Sequence, residues 1–154
     1  MATPLKSIKK NQARIAIVAS SFNDYITKRL LSACLLELKL QGIAQGQITT
    51  AWVPGSFELP LTALKLAQRK DIDAVICLGA VIRGETYHFE VVSNECARGI
   101  MEASLLTAKP VILGVLTTDT VAQAEARAKQ KGGENKGRDA ARAVLEMIAL
   151  LKKI

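Results

Sequence analysis

His88 is the only histidine in the chain, and it follows the short segment Gly84-Glu85-Thr86. An imidazole exchanges protons near neutral pH, so His88 could act as a general acid or base. The preceding segment lies before a predicted helix, where free backbone NH groups can hold a phosphate. The alternatives are a surface or helix-capping histidine and a plain turn with Thr86 as the N-cap. Such a turn remains compatible with anion binding, because the same NH groups serve both purposes.

Two phenylalanines, Phe22 and Phe57, follow predicted strands in loops where a flat ring could stack on a heteroaromatic ligand. For both, the sequence alone slightly favours packing against neighbouring helices. Glu58 falls in the first turn of a predicted helix, where the helix dipole favours a carboxylate. It could equally accept hydrogen bonds from the hydroxyl groups of a polyol.

Arg127 and Lys136 bracket a basic, glycine-rich link. A guanidinium suits bidentate phosphate binding, and an ammonium suits a single carbonyl or anion. The alternative for each is a solvated surface charge. Further cations nearby add positive potential without an individual role: Lys129, Lys131, Arg138 and Arg142.

The composition bounds the class of protein. Hydrophobic residues make up 49% of the 154 positions and charged residues 23%, which predicts a chain folded throughout. We expect one domain over residues 1–154, with residues 1–12 as an extended arm. The net charge of +7 favours anionic ligands without choosing between phosphate esters and nucleic acid. No stretch resembles a secretion signal or a membrane span, so the expected location is the cytoplasm.

Several kinds of site lack their signatures. Cys34, Cys77 and Cys96 have no C-x-x-C spacing, which predicts reduced thiols in apolar surroundings. A single histidine excludes a multi-histidine metal site. Neither G-x-G-x-x-G after the first strand nor G-x-x-x-x-G-K-[ST] occurs, which disfavours dinucleotide and nucleoside triphosphate chemistry.

The groups above need elements to position them, and hydrophobic periodicity predicts strands alternating with helices. We predict strands over residues 14–20, 48–53, 73–82 and 111–116. We predict helices over residues 24–40, 56–68 with Ser56 as N-cap, 89–107 and about 120–129, and a last helix from the basic link to residue 152.

This alternation predicts a three-layer α/β/α sandwich around a four-stranded parallel sheet. Ligands of such sheets bind beyond the carboxyl ends of the strands. Those ends are residues 20–23, 54–58, 83–88 and 117–119, where the candidate residues concentrate.

Five segments, in this order, resemble the lumazine synthase family along nearly the whole chain. They are IAIVASSFND (15–24), AWVPGSFELP (51–60), LGAVIRGETYHFEVV (78–92), LGVLTTDTVAQAEARA (113–128) and ENKGRDAARAVLEM (134–147). The resemblance implies a flavodoxin-like form of the predicted sandwich. It also implies an enzyme that condenses 5-amino-6-(D-ribitylamino)uracil with 3,4-dihydroxy-2-butanone 4-phosphate in riboflavin biosynthesis.

The resemblance implies a role for each candidate residue. Phe22 would stack on the pyrimidine, and the polyol chain and ring would contact Ser56, Phe57, Glu58 and the backbone of Ala80, Val81 and Ile82. Glu85 and Thr86 would hold the phosphate, with Arg127 closing on it. His88 would donate and shuttle protons through imine formation, phosphate elimination, tautomerisation and ring closure, a scheme that needs no metal or cofactor.

The resemblance further implies a pentamer whose sites lie between neighbouring subunits. One subunit would contribute Phe22, Phe57 and His88, and the next Leu113, Arg127 and Lys136. An aromatic ring is expected at position 113 in many relatives, so Leu113 would contact the pyrimidine without ring stacking. Both a free pentamer, favoured by the length of the glycine-rich link, and a sixty-subunit shell stay open, with riboflavin synthase as a candidate partner.

Two other functions remain as alternatives. A flavin- or nucleotide-binding module could use the same sheet without catalysis, since a fold does not fix function. A nucleic-acid binder is disfavoured because the basic residues are neither interleaved with aromatic platforms nor placed on a recognition helix.

Overall fold

The computed structural model describes residues 12–154, so all but the last residue of the expected N-terminal arm lies outside the described part. Four strands are present there: β1 (Ile15–Ser20), β2 (Ile48–Val53), β3 (Ala74–Ile82) and β4 (Val111–Thr118). The α-helices are α1 (Asp24–Leu40), α2 (Leu59–Ala67), α3 (His88–Thr107), α4 (Val121–Ala126) and α5 (Lys136–Leu151). Short 3₁₀ helices occupy Gln45–Gln47 and Ser56–Glu58.

The strands form one parallel sheet in the order β2-β1-β3-β4. This is the flavodoxin-like order, in which the chain reverses its direction of winding between β1 and β3. The predicted fold class is therefore confirmed.

Helices cover both faces of the sheet and create two apolar layers. Ile15 and Ile17 of β1 face the layer shared with α1 and α5, and Ala16 and Val18 face the layer shared with α2 and α3. β3 is buried on both faces as predicted, because each of its side chains meets one of these layers. None of the helices in residues 12–154 is long and apolar enough to span a membrane.

The three cysteines are reduced and buried, as predicted. Burial raises the pKa of the Cys34 thiol to about 12 and that of Cys96 to about 11, and it raises the pKa of Cys77 as well. A thiol with so high a pKa carries almost no thiolate, so these residues act as small apolar side chains.

The segment after β2 differs from the prediction of one helix capped by Ser56. A 3₁₀ helix comes first, and α2 starts only at Leu59. Ser56 makes no capping bond, and Gly55 precedes the 3₁₀ helix. Pro60 explains the difference, because proline is tolerated in the first turn of an α-helix and breaks one that has already begun.

Two bounds near β4 are also wrong. The strand continues to Thr118, because β3 still pairs with it through Ile82. α4 is shorter than predicted, and Thr120 precedes it as N-cap, its hydroxyl accepting a hydrogen bond from Gln123 N at 3.1 Å. The other predicted bounds agree with the structure within one residue.

The N-terminus of α5 packs against α1 at a glycine. A Cβ atom on Gly137 would lie 2.8 Å from Leu30 Cα and closer still to the carbonyl group of that residue. The buried Asn135 sits next to this contact and accepts hydrogen bonds from Gly137 N (2.8 Å) and Arg138 N (3.3 Å). Its amide also donates to Lys129 O at 3.1 Å. The basic link is thus tied to the start of α5.

An ion pair joins the same two helices farther along. The Glu37 side chain, only 7% exposed, accepts from Arg142 Nε at 3.1 Å and from Gln41 Nε2 at 3.0 Å. The hydrogen bond from Arg142 is the main reason why the pKa of Glu37 lies below its ordinary value of 4.5.

Substituting Gly137 by alanine should destabilise the protein by about 3 kcal/mol or more, because the contacted atoms are backbone and cannot turn aside. Thermal unfolding at one protein concentration measures this. Gly46→Ala is the matched control, since a Cβ there meets nothing within 4 Å. Equal melting of the two variants would contradict the close packing of α1 and α5.

Glu37→Gln should weaken the dependence of stability on acid. Since folding lowers the pKa of Glu37 below 4.5, its ion pair stabilises the fold above that pH. The stabilisation is lost as the pH falls through the folded-state pKa. Melting curves between about pH 7 and pH 3 should therefore converge for wild type and variant at the acidic end. Glu102→Gln, on the exposed face of α3, should follow wild type throughout.

Candidate active site

A cavity of about 710 Å³ opens at the carboxyl ends of β1, β2 and β3. It lies at the crevice between β1 and β3, where ligands of this sheet topology bind. Of the residues predicted for the site, the cavity is lined by Phe22, Ser56, Phe57, Glu58, Ala80, Val81, Ile82, Thr86 and His88. The ends of three strands and the segments that follow them therefore bring nine of the thirteen predicted residues together.

Both phenylalanines stand at the cavity as exposed rings, with 73% of Phe22 and 55% of Phe57 accessible. The preference for core packing is therefore wrong. Backbone bonds continue the contact between β1 and the chain after β2, from Ser21 N to Val53 O (2.8 Å) and from Phe22 N to Pro54 O (2.9 Å). These bonds hold Phe22 beside the loop that carries Phe57.

The end of β3 offers backbone groups to the cavity. β3 pairs with β1 only as far as Leu78, whereas its pairing with β4 continues to Ile82. Residues 80–82 thus have a strand partner on one edge and face the cavity along the other. Asn23, whose φ of 58° is left-handed, donates from Nδ2 to Ala80 O at 2.9 Å.

Two serine hydroxyls flank Gly79 beneath the cavity. A Cβ atom at Gly79 would lie 2.5 Å from Ser20 Oγ and 2.9 Å from Ser56 Oγ. Ser20 is fully buried, and its hydroxyl has no hydrogen-bond partner among the described residues. Gly79 is therefore required for this close approach, and no sequence motif had pointed to Ser20.

Gly84, Thr86 and His88 line a third side of the cavity. His88 is the first residue of α3, and its backbone NH donates to Thr86 Oγ1 at 3.4 Å. The alternative of Thr86 as N-cap does not hold, because Tyr87 occupies that position. Glu85 is exposed in the same loop and is not among the residues that line the cavity. Of the first NH groups of α3, those of His88 and Glu90 already bond within the helix start, to Thr86 Oγ1 and Tyr87 O.

Leu113, Arg127 and Lys136 lie elsewhere, around a second hollow of about 420 Å³ between β4 and α5. Arg127 Nη1 donates to Gln123 O at 3.0 Å, and Lys136 Nζ lies 2.9 Å from Glu134 Oε1. The bond to Glu134 raises the pKa of Lys136 above its ordinary value. The half-exposed Leu113 faces this hollow. The two hollows share no residue.

Sequence reasoning missed two residues that organise the cavity. Asn23 holds the Ala80 carbonyl, and Arg83 joins the segment after β3 to the loop after β4 through Asp119. Each bond spans a long stretch of sequence, so no local pattern reveals it.

A comparison with protein families covers nearly the whole chain. The model of the 6,7-dimethyl-8-ribityllumazine synthase family matches residues 12–152 of the 154. That match includes every residue of both hollows. The chain therefore belongs to the 6,7-dimethyl-8-ribityllumazine synthase family, transferases of riboflavin biosynthesis.

Proposed function

We propose that the protein condenses 5-amino-6-(D-ribitylamino)uracil with 3,4-dihydroxy-2-butanone 4-phosphate, giving 6,7-dimethyl-8-ribityllumazine, phosphate and water. One observation carries this proposal. In a member of this family, His88, the start of α3, the exposed Phe22 ring and the open edge of β3 all line one cavity. These are the groups that the reaction requires: an acid–base group, an anion site and a flat binding surface.

The pyrimidine fits the part of the cavity between Phe22 and β3. An exposed ring at the rim offers a stacking surface. The edge of residues 80–82 that no strand covers offers the backbone groups other than Ala80 O, which Asn23 holds, to the pyrimidine amides. Glu58 and Ser56 lie on the same wall and suit the hydroxyl groups of the ribityl chain.

The phosphate fits the start of α3. Backbone NH groups and the Thr86 hydroxyl can bind its oxygens there, favoured by the positive end of the helix dipole. Glu85 would take part through its backbone NH, since its carboxylate repels an anion. His88 then lies next to the carbonyl of the same four-carbon substrate.

His88 acts as the proton shuttle in this proposal. The primary amine of the pyrimidine attacks the ketone, and loss of water forms the imine. A proton leaves carbon, phosphate departs, and the enol tautomerises before the second amine closes the ring with loss of another water. Holding both reactants together contributes about 7 kcal/mol or more in favourable cases.

A complete site takes two copies of the chain. Arg127 and Lys136 suit a phosphate and a carbonyl, but within one chain they lie in the hollow that excludes His88. A head-to-tail ring places the second hollow of one copy over the cavity of its neighbour. We propose a pentameric ring with Leu113 over the pyrimidine; free pentamers and sixty-subunit shells are both compatible with it.

His88→Ala and Arg127→Ala should impair different steps. Loss of the imidazole should lower kcat about 100-fold or more with a smaller change in KM. Loss of the guanidinium should raise KM for the sugar phosphate about 10- to 100-fold, since a hydrogen bond to a charged group is lost. Steady-state phosphate release and product absorbance measure both. Arg69→Ala, paired with Asp71 away from both hollows, is the control. Full activity in both site variants would refute the assignments.

The shared site predicts complementation between the two impaired variants at sugar phosphate concentrations well below the KM of Arg127→Ala. Co-refolding equal amounts of His88→Ala and Arg127→Ala should restore about a quarter of the wild-type sites, because that share of ring interfaces pairs an intact His88 with an intact Arg127. Activity of the mixture, compared with each variant alone, is the measurement. Absence of any gain, in a mixture shown to form mixed rings, would place the whole site within one chain.

A further inference from the structure

The segment from Gly84 to Tyr87 is exposed and contains the proposed phosphate site. It leads directly to His88, the first residue of α3. Its backbone is fixed at each end, by Arg83 N donating to Thr118 O (2.8 Å) and by Glu90 N donating to Tyr87 O (3.1 Å). No side chain in the described part of the chain bonds to the His88 imidazole. The position of that imidazole therefore depends on what holds this segment.

The side chain of Arg83 connects the two ends of this segment. Its Nη1 atom bonds to Glu90 Oε1, and its guanidinium lies 4.3 Å from the centre of the Phe89 ring. Both partners directly follow His88 in the first turn of α3. One cation thus joins the residue before the segment to the two residues after His88.

A second carboxylate ties Arg83 to the end of β4. Arg83 Nε donates to Asp119 Oδ1 at 2.8 Å, in the loop that leaves β4. The hydrogen bonds to Asp119 and Glu90 raise the pKa of Arg83, and the bond from Arg83 lowers the pKa of Glu90, so these two groups form an ion pair. A planar guanidinium can bond to both carboxylates and stack on the ring at once, which a lysine ammonium cannot do.

The charges around the segment add to this effect. Glu90 lies in the first turn of α3 and Asp119 in the loop after β4, and the single charge of Arg83 offsets one of their two negative charges. Without Arg83, two unpaired carboxylates would repel the anion. The arginine therefore bears on binding as well as on geometry.

These ion pairs contribute little to global stability. The side chains of Arg83, Glu90 and Asp119 are 42%, 30% and 63% exposed, and ion pairs so accessible to water are weak. A local role can thus be separated from a structural one.

We propose that Arg83 is a positioning residue, which sets the segment carrying Glu85, Thr86 and His88 by joining Glu90, Phe89 and Asp119. This inference rests on the proposed function for its kinetic consequences. Its structural consequence, the placement of the His88 imidazole, is independent of the reaction.

The test compares Arg83→Ala and Arg83→Lys with Arg98→Ala. Arg98 is a matched control, because it also lies between two carboxylates, Glu95 and Glu102, but on the exposed face of α3 well beyond its first turn. Arg83→Ala should lower kcat/KM for the sugar phosphate about 10- to 100-fold, through both kcat and KM. Arg83→Lys should retain part of the affinity and little of the lost kcat, and Arg98→Ala should match wild type.

A second readout does not require turnover. In untagged protein with labelled histidine, His88 gives the only imidazole NMR signal, since the chain has one histidine. Arg83→Ala should shift or broaden this signal and Arg98→Ala should not, while thermal midpoints of the two variants stay within about 2 °C of wild type.

The proposal is overturned if Arg83→Ala and Arg98→Ala agree in both kinetics and the His88 signal, or if the loss of activity follows a loss of thermal stability. An inactive wild-type protein would instead refute the proposed reaction, and the His88 signal would still decide whether Arg83 positions the segment.

Discussion

Unequal pairing along the two edges of β3 is the constraint from which the cavity arises. β1 ends its ladder with β3 at Leu78, but β4 accompanies β3 to Ile82. Backbone polar groups buried without partners are costly, so a strand edge left open in this way must face solvent, a ligand or a side-chain donor such as Asn23, which bonds to Ala80 O. Gly79 lies where this open edge begins, and any side chain at that position would meet the hydroxyls of Ser20 and Ser56.

The cavity combines a rigid base with adjustable walls. Its base is the buried sheet, whose two apolar layers supply most of the stability, whereas Phe22, Phe57 and the segment around Thr86 are exposed. Exposed loops contribute little to the free energy of unfolding, so their sequence can serve binding. The buried Ser20 hydroxyl, which has no hydrogen-bond partner among the described residues, lowers the stability by about 1–3 kcal/mol.

The sheet and its helices could be predicted from the sequence because they follow from short-range patterns. The apolar run in β3 and the periodicity of α1 and α3 are visible within one element. The exposure of Phe22 and Phe57 could not be predicted, because it depends on the path of the chain after β1 and β2. The bonds of Arg83 could not be predicted either, because its partner Asp119 lies 36 residues away and both residues belong to loops. The position of Ser56 required knowing where Pro60 lets α2 begin.

Hydrogen bonds through the loop after β4 also connect the two hollows of one chain. Asp119 accepts from Arg83 on the side of His88, and its backbone NH donates to Gln123 Oε1 at 2.8 Å. The carbonyl of Gln123 in turn accepts from Arg127 Nη1 at 3.0 Å. Four residues thus link the segment before α3 to the guanidinium of the other hollow without passing through the apolar layers. Because β3 and β4 remain paired up to this loop, the distance between the two hollows is set by the sheet, and any ring of copies inherits that spacing at each of its interfaces.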